Sequence, residues 1–174
     1  MEERQLIEGC IRGESRAQKA LYELYAPAMM SVCQRYVCNR ETARDLLHDG
    51  FVKLFTKIHT YSGAGSFSGW IRRVFVTTAL EFLRCKDVLQ YSVDIEVSEV
   101  QNIESDISHF EHLSAKDLIA CIAKLPNRNR TIFNMYAIEG YTNVEIANEL
   151  EMSESAVRSE YTRARKMLQE MIGK

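Results

Sequence analysis

Only two prolines, Pro27 and Pro126, interrupt the 174 residues, and there is a single tryptophan, Trp70. So few breakers leave helical periodicity nearly continuous outside the middle of the chain, and an all-α fold is expected. No apolar run reaches the length of about eighteen residues that a membrane span needs, although 46% hydrophobic residues can build a core. Met1-Glu2-Glu3-Arg4 is acidic with no apolar run behind it, so no secretory signal is expected. Five cysteines (Cys10, Cys33, Cys38, Cys85, Cys121) are too few, too scattered and odd in number for a disulfide framework. They fit buried thiols in a reducing cytoplasm. Cys33 and Cys38 match no common metal spacing and no second pair follows, so neither metal nor other cofactor is expected. A phosphate loop is missing, and His48, His59, His109 and His112 are dispersed, which leaves an enzyme, and with it a small-molecule substrate, without equipment.

The net charge of -2 conceals a segregation. Residues 1–90 hold 13 basic and 10 acidic side chains, a balance of +3. Residues 91–113 hold six acids (Asp94, Glu96, Glu99, Glu104, Asp106, Glu111) and no Lys or Arg, a balance of -6. Residues 114–174 hold nine basic and eight acidic side chains, a balance of +1. Two mildly basic lobes flank an acidic strip without clear periodicity, which reads as a linker. The expected organisation is two small helical domains, 1–88 and 113–174, joined by an acidic linker over 89–112.

The second lobe carries the most specific signal. Thr142 and Glu145 have capping-box spacing, which starts a helix at Thr142 with Ile146, Ala147 and Leu150 on one face. Ser153 is a suitable N-cap for a second helix. At about 100° per residue, Val157, Tyr161, Ala164 and Leu168 make its apolar stripe. The opposite front presents Ser155, Arg158, Ser159, Thr162, Arg163 and Lys166. Such a front, behind a tight turn and a helix with small Ala147, equips a helix-turn-helix to meet base edges and phosphates in the major groove. An ordinary solvated helix would also be charged outside, but it needs neither the cap nor the small residue at these offsets. Glu151 occupies the turn, where glycine is usual. Glu160 falls at the edge of the buried side, so Glu160→Ala is expected to be nearly neutral or slightly favourable for DNA binding.

The first lobe reads as a helical bundle: a short helix at 5–9, then 15–25, 28–37 after Pro27, 40–58 and 68–86. In the helix over 40–58, Ala43, Leu47, Gly50, Phe51, Leu54 and Ile58 face a core, and Asp45, His48, Asp49, Val52 and Thr56 face away. Gly50 costs about 1 kcal/mol relative to Ala in mid-helix, which suggests close packing. In the helix over 68–86, Ile71, Val74, Phe75, Thr78 and Phe82 form the inner stripe, opposite Trp70, Arg73, Thr77, Leu80 and Arg84. Tyr61 and Phe67 stand at the ends of a Gly/Ser loop beside it. Aromatics interleaved with arginines suit single-stranded nucleic acid, on which bases stack and phosphates pair. A core tryptophan with solubilising arginines fits the composition equally well. The second lobe opens with helix over 115–123, breaks at Leu125-Pro126 and resumes over 130–139.

Taken in order, these blocks resemble the extracytoplasmic-function (ECF) family of bacterial sigma factors over nearly the whole chain. Residues 20–27 resemble its opening helices, Asp45 to Phe55 its polymerase-binding helix, and Phe67 to Ile71 with Thr77 to Arg84 its promoter-opening helix. Leu125-Pro126, Tyr141 to Leu150 and Val157 to Leu168 resemble its upstream-element domain.

The resemblance implies that Asp45, His48, Asp49 and Val52 dock on core RNA polymerase. Tyr61, Phe67, Trp70, Arg73, Thr77 and Arg84 would hold the unpaired strand of the -10 element, and Ser155, Arg158, Ser159, Thr162, Arg163 and Lys166 would read the -35 duplex. It implies two partners besides promoter DNA: core polymerase and an anti-sigma factor, in this family often membrane-bound. Thr77 stands where the family usually has Asn, Glu81 where it has Asp, and His48 where Gln is common. The rival is a dimeric helix-turn-helix regulator of duplex operators, which would leave the acidic strip and the Trp/Arg helix without a purpose.

Overall fold

The structure, a computed structural model, describes residues 3–86 and 115–172. Among them are eight α-helices: α1 (Glu3–Ile11), α2 (Ser15–Val37), α3 (Arg40–Lys57), α4 (Phe67–Cys85), α5 (Ala115–Ala123), α6 (Asn127–Phe133), α7 (Asn143–Leu150) and α8 (Glu154–Ile172). No described helix is long and apolar enough to cross a membrane. The chain divides into two compact units, Met1–Phe82 and Leu83–Lys174. The acidic strip and the linker expected over 89–112 lie outside the described residues.

The first unit is built on α2, α3 and α4. The expected break at Pro27 does not occur: α2 runs unbroken from Ser15 to Val37 with Pro27 inside. Proline removes one backbone hydrogen bond, at a cost of about 3 kcal/mol in a helix interior. Burial on both sides of it (Leu21 before, Met29, Val32 and Cys33 after) holds the two halves in line. The helix stops at Cys38, whose left-handed conformation (φ 52°) lets its N–H reach the Gln34 carbonyl. Asn39 then caps α3, its side chain accepting from the Thr42 N–H at 2.9 Å.

The inward face of α3 follows the expected stripe, with Ala43, Leu47, Phe51, Leu54 and Ile58 all buried, and Leu46 is buried beside them. Gly50 is the point of closest approach. A Cβ built there would lie 2.2 Å from Cε1 of Phe75 on α4. Phe75 and Phe51 meet edge to face with ring centroids 5.2 Å apart, and Lys53 pairs with Glu81 across the same two helices.

The outward face of α4 needs a correction: Leu80, expected outside, is 1% exposed. Ile71, Phe75, Val76, Ala79, Leu80 and Leu83 are all buried, an arc wider than one stripe, while Val74 and Phe82 are only half-buried. A helix hemmed in on more than one side cannot be described by a single stripe.

The second unit wraps α5, α6 and α7 around α8. Ile122, Leu125, Ala164 and Leu168 form its centre, with Phe133 and Met167 packed against it. The break at Leu125-Pro126 is present, but α6 begins at Asn127, ahead of the expected Arg130, and after Phe133 the chain loosens into a wider turn over Asn134–Ile138.

The Gly50 contact gives a direct test. In an open helix, Gly50→Ala would gain about 1 kcal/mol. Here the methyl meets an aromatic ring that is itself fully buried, and overpacking costs typically 1–3 kcal/mol. Urea unfolding of the variant should show a loss of about that size; a gain would contradict the packing.

Candidate nucleic-acid interface

In the second unit the helix-turn-helix forms from local chemistry. Thr142 Oγ1 accepts from the Glu145 N–H at 3.2 Å, and the Glu145 carboxylate accepts from the Thr142 N–H at 2.9 Å, which completes the capping box. Ile146 and Ala147 are buried on α7. Glu151 takes the left-handed conformation (φ 53°, ψ 45°) that ends α7 and turns the chain. Ser153 Oγ accepts from the Ala156 N–H at 3.2 Å and caps α8.

The two sides of α8 are sharply divided. Val157, Ala164 and Leu168 are buried, and Tyr161 is half-buried, with Phe133 stacked at 5.8 Å and Tyr136 at 4.6 Å between ring centroids. All six front residues (Ser155, Arg158, Ser159, Thr162, Arg163, Lys166) are exposed. Arg158 pairs with Glu154 at 3.4 Å, one turn back. Thr162 donates to the Arg158 carbonyl at 2.9 Å, so its hydroxyl proton is engaged within the helix.

The support beneath α8 was not legible from periodicity. Arg130 is 4% exposed; one guanidinium nitrogen donates to the carbonyls of Ala123 (3.1 Å) and Leu125 (3.0 Å), and the other binds Asn127. A buried charge is tolerable only with such satisfaction, and here it ties the end of α5 to α6. Asn129, 6% exposed, donates to the Glu160 carbonyl at 3.1 Å and to its carboxylate at 2.8 Å. Glu160 therefore helps hold α8 to α6; Glu160→Ala would remove the carboxylate bond to buried Asn129 but leave the bond to the backbone carbonyl. Four polar residues in a row, Asn127-Arg128-Asn129-Arg130 after Pro126, were the available signal.

In the first unit, Asp45, His48, Asp49 and Val52 are exposed together on α3, with Val52 52% exposed. On α4, Trp70, Arg73 and Thr77 share a face, Arg73 exposed and the other two half-buried. The Tyr61 ring lies 5.6 Å from Trp70, and its hydroxyl donates to the Gly65 carbonyl at 2.8 Å, closing the loop on itself. Gly63 and Gly65 take positive φ (78° and 81°), which the loop's reversal requires.

Phe67 is placed differently from its expected strand-facing role. It is 1% exposed, stacked under Trp70 at 5.7 Å and beside Tyr25 at 5.9 Å, and acts as the floor of the cluster. Arg84 is exposed in the last turn of α4, about 20 Å along the axis from Trp70, so it is not part of the cluster.

The turn residue yields a measurable consequence. A left-handed conformation costs a non-glycine residue roughly 1–2 kcal/mol, part of which glycine's freer unfolded state cancels. Glu151→Gly should therefore raise stability by about 0.5–1 kcal/mol in thermal unfolding followed by circular dichroism. A lower stability would mean that the turn has another geometry.

Similarity to known proteins agrees with this arrangement. The Sigma-70 region 2 family matches residues 21–88, and the Sigma-70, region 4 family matches residues 115–168. The ECF RNA polymerase sigma-E factor of Escherichia coli (strain K12) is 26% identical over 173 residues, covering 94% of this chain and 90% of the relative. The RNA polymerase sigma-H factor of Pseudomonas aeruginosa is 27% identical over 177 residues, covering 96% and 92%. Among solved structures, the sigma factor RpoE from Bartonella quintana, in complex with the anti-sigma factor NepR, shares the fold with a TM-score of 0.58. It is 17% identical and covers 89% of this chain and 96% of its own. CnrH, in complex with the cytosolic domain of CnrY, gives 0.54 at 19% identity, covering 98% and 97%. With a region 2 and a region 4 in order along one helical chain, the protein belongs to the ECF subfamily of sigma factors.

Proposed function

We propose how this ECF sigma factor, which binds core RNA polymerase and directs promoter recognition and initiation, divides that work among its residues. The carrying observation is that α3 and α4 share one core yet turn two chemically different fronts outward. The α3 front, with exposed Asp45, His48, Asp49 and Val52, is acidic and partly apolar, suited to a basic helical partner on core polymerase. The α4 front, with Trp70, Arg73 and Thr77 beside Tyr61, offers ring faces and a cation to unpaired bases and phosphates of the -10 element. Phe67 contributes from beneath by fixing the tryptophan. In the second unit, Ser155, Arg158, Ser159, Thr162, Arg163 and Lys166 meet the -35 duplex.

Residues 1–88 and 113–174 act as separate lobes, and the acidic 89–112 joins them, its charge suited to channels otherwise occupied by nucleic acid. The sigma factor RpoE was solved with the anti-sigma factor NepR, and CnrH with the cytosolic domain of CnrY. A protein partner of that anti-sigma kind is accordingly proposed here, covering the polymerase-facing or promoter-facing residues. Action in the cytoplasm, where its polymerase and promoters are, belongs to the same reading. A dimeric operator-binding regulator would need neither the α3 front nor a region 2 match.

Charge and chemistry separate the two fronts experimentally. Asp45→Lys with Asp49→Lys should abolish co-purification with core polymerase while leaving the urea midpoint unchanged, since both side chains are exposed. Trp70→Ala, Arg73→Ala and Thr77→Ala should keep polymerase binding and reduce permanganate reactivity of promoter thymines. Full opening by all three variants would return the α4 front to an ordinary solvated surface.

A further inference from the structure

We infer that Glu160 is a positioning residue for duplex recognition: anchored from below by Asn129, it holds the guanidinium of Arg163 in place before DNA arrives. The inference rests on the reading of the α8 front as the DNA-contacting face and assigns a task to a residue outside that front.

Three side chains form a relay from core to surface. Asn129 is 6% exposed, and its Nδ2 donates both to the backbone carbonyl of Glu160 and, at 2.8 Å, to its Oε2. The Glu160 side chain is itself only 18% exposed, and the Asn129 bond holds its carboxylate against α6. The remaining oxygen, Oε1, accepts from Arg163 Nη1 at 3.4 Å, and Arg163 is 68% exposed on the front. The carboxylate thus spends one oxygen on the scaffold and one on the reading residue. The other paired arginine differs: Arg158 pairs with Glu154, which is 46% exposed in the first turn of the same helix.

A purely structural Glu160 would need only the Asn129 bond, which a glutamine oxygen could accept as well. The charge matters for Arg163. Arginine loses about 2 kcal/mol of rotamer freedom when fixed, and a preformed contact removes part of that cost from the binding step. The same negative charge weakens attraction to any phosphate, so it lowers affinity for all DNA while sharpening the choice among sequences. Free of its partner, Arg163 would reach for the nearest phosphate and cease to report on the base pair before it.

The test uses the full chain with core polymerase and promoters randomised across the upstream element. Glu160→Gln should keep the fold, bind unrelated duplex more tightly, and lose preference at one base-pair position by about fivefold to tenfold, the lower end of what one arginine–base contact supplies. In an Arg163→Ala background, Glu160→Gln should change that preference no further. Undiminished preference in Glu160→Gln, with preference lost in Arg163→Ala, would overturn the positioning role alone. Undiminished preference in Arg163→Ala would overturn both this role and the duplex reading.

A second measurement needs no variant. In the free wild-type chain, side-chain nitrogen relaxation should find the Arg163 guanidinium restrained beside a mobile Arg165. An Arg163 as mobile as Arg165 would also overturn the inference.

Discussion

An aromatic ring standing where a side chain's first carbon would be is the constraint on which the first lobe depends. Phe75 of α4 fills the space beside Gly50 of α3, and nothing larger than hydrogen at residue 50 permits it. The close approach also brings Phe51 against Phe75 and allows Lys53 to reach Glu81. With α3 and α4 locked in this way, the acidic front of one and the aromatic front of the other keep a fixed relation. On the roles proposed above, that rigidity would serve the function, because polymerase held by one front would have to deliver DNA to the other. The entropy of aligning the two surfaces is met during folding rather than during initiation.

The second lobe reaches the same end by different chemistry. Apart from α8 its helices are short, nine residues or fewer, and short helices bury little area each. Buried polar groups supply the missing specificity of arrangement: Arg130 joins α5 to α6 through backbone carbonyls, and Asn129 joins α6 to α8. Each of those groups is costly unless satisfied, so the arrangement tolerates few alternatives. A front of exposed arginines, hydroxyls and a lysine is then carried on a helix whose rotation about its own axis is fixed.

The parts of this design written in local periodicity were legible in the sequence. The capping box at Thr142 and Glu145, the Ser153 cap, the exposed front of α8 and the outward face of α3 all follow from spacing along one helix. What depends on neighbours in space was not. Pro27 sits inside a helix because burial on both sides outweighs one lost hydrogen bond. Leu80 is core because the buried arc of α4 is wider than one stripe, and Phe67 because Tyr25, Tyr61 and Trp70 close over it. The roles of Arg130 and Glu160 could not be read from a linear pattern, since a buried arginine and a tethered glutamate look like any surface charge until their partners are seen. The left-handed turn lay between: its place was legible, and that Glu151 accepts the strain was not.

Two lobes of small positive balance, one +3 and the other +1 by sequence, should bind promoter DNA weakly and with strong salt dependence when alone. Held on polymerase at a fixed separation, each contact raises the effective concentration of the other. The most direct measurement is transcription from this protein's own promoters with purified core polymerase, alongside DNA binding by the free chain. Weak, salt-sensitive binding by the free chain, and transcripts starting at one position only when polymerase and chain are combined, are the expected results. Tight sequence-specific binding to an operator by the free chain, with no affinity for core polymerase, would contradict the division of labour argued above.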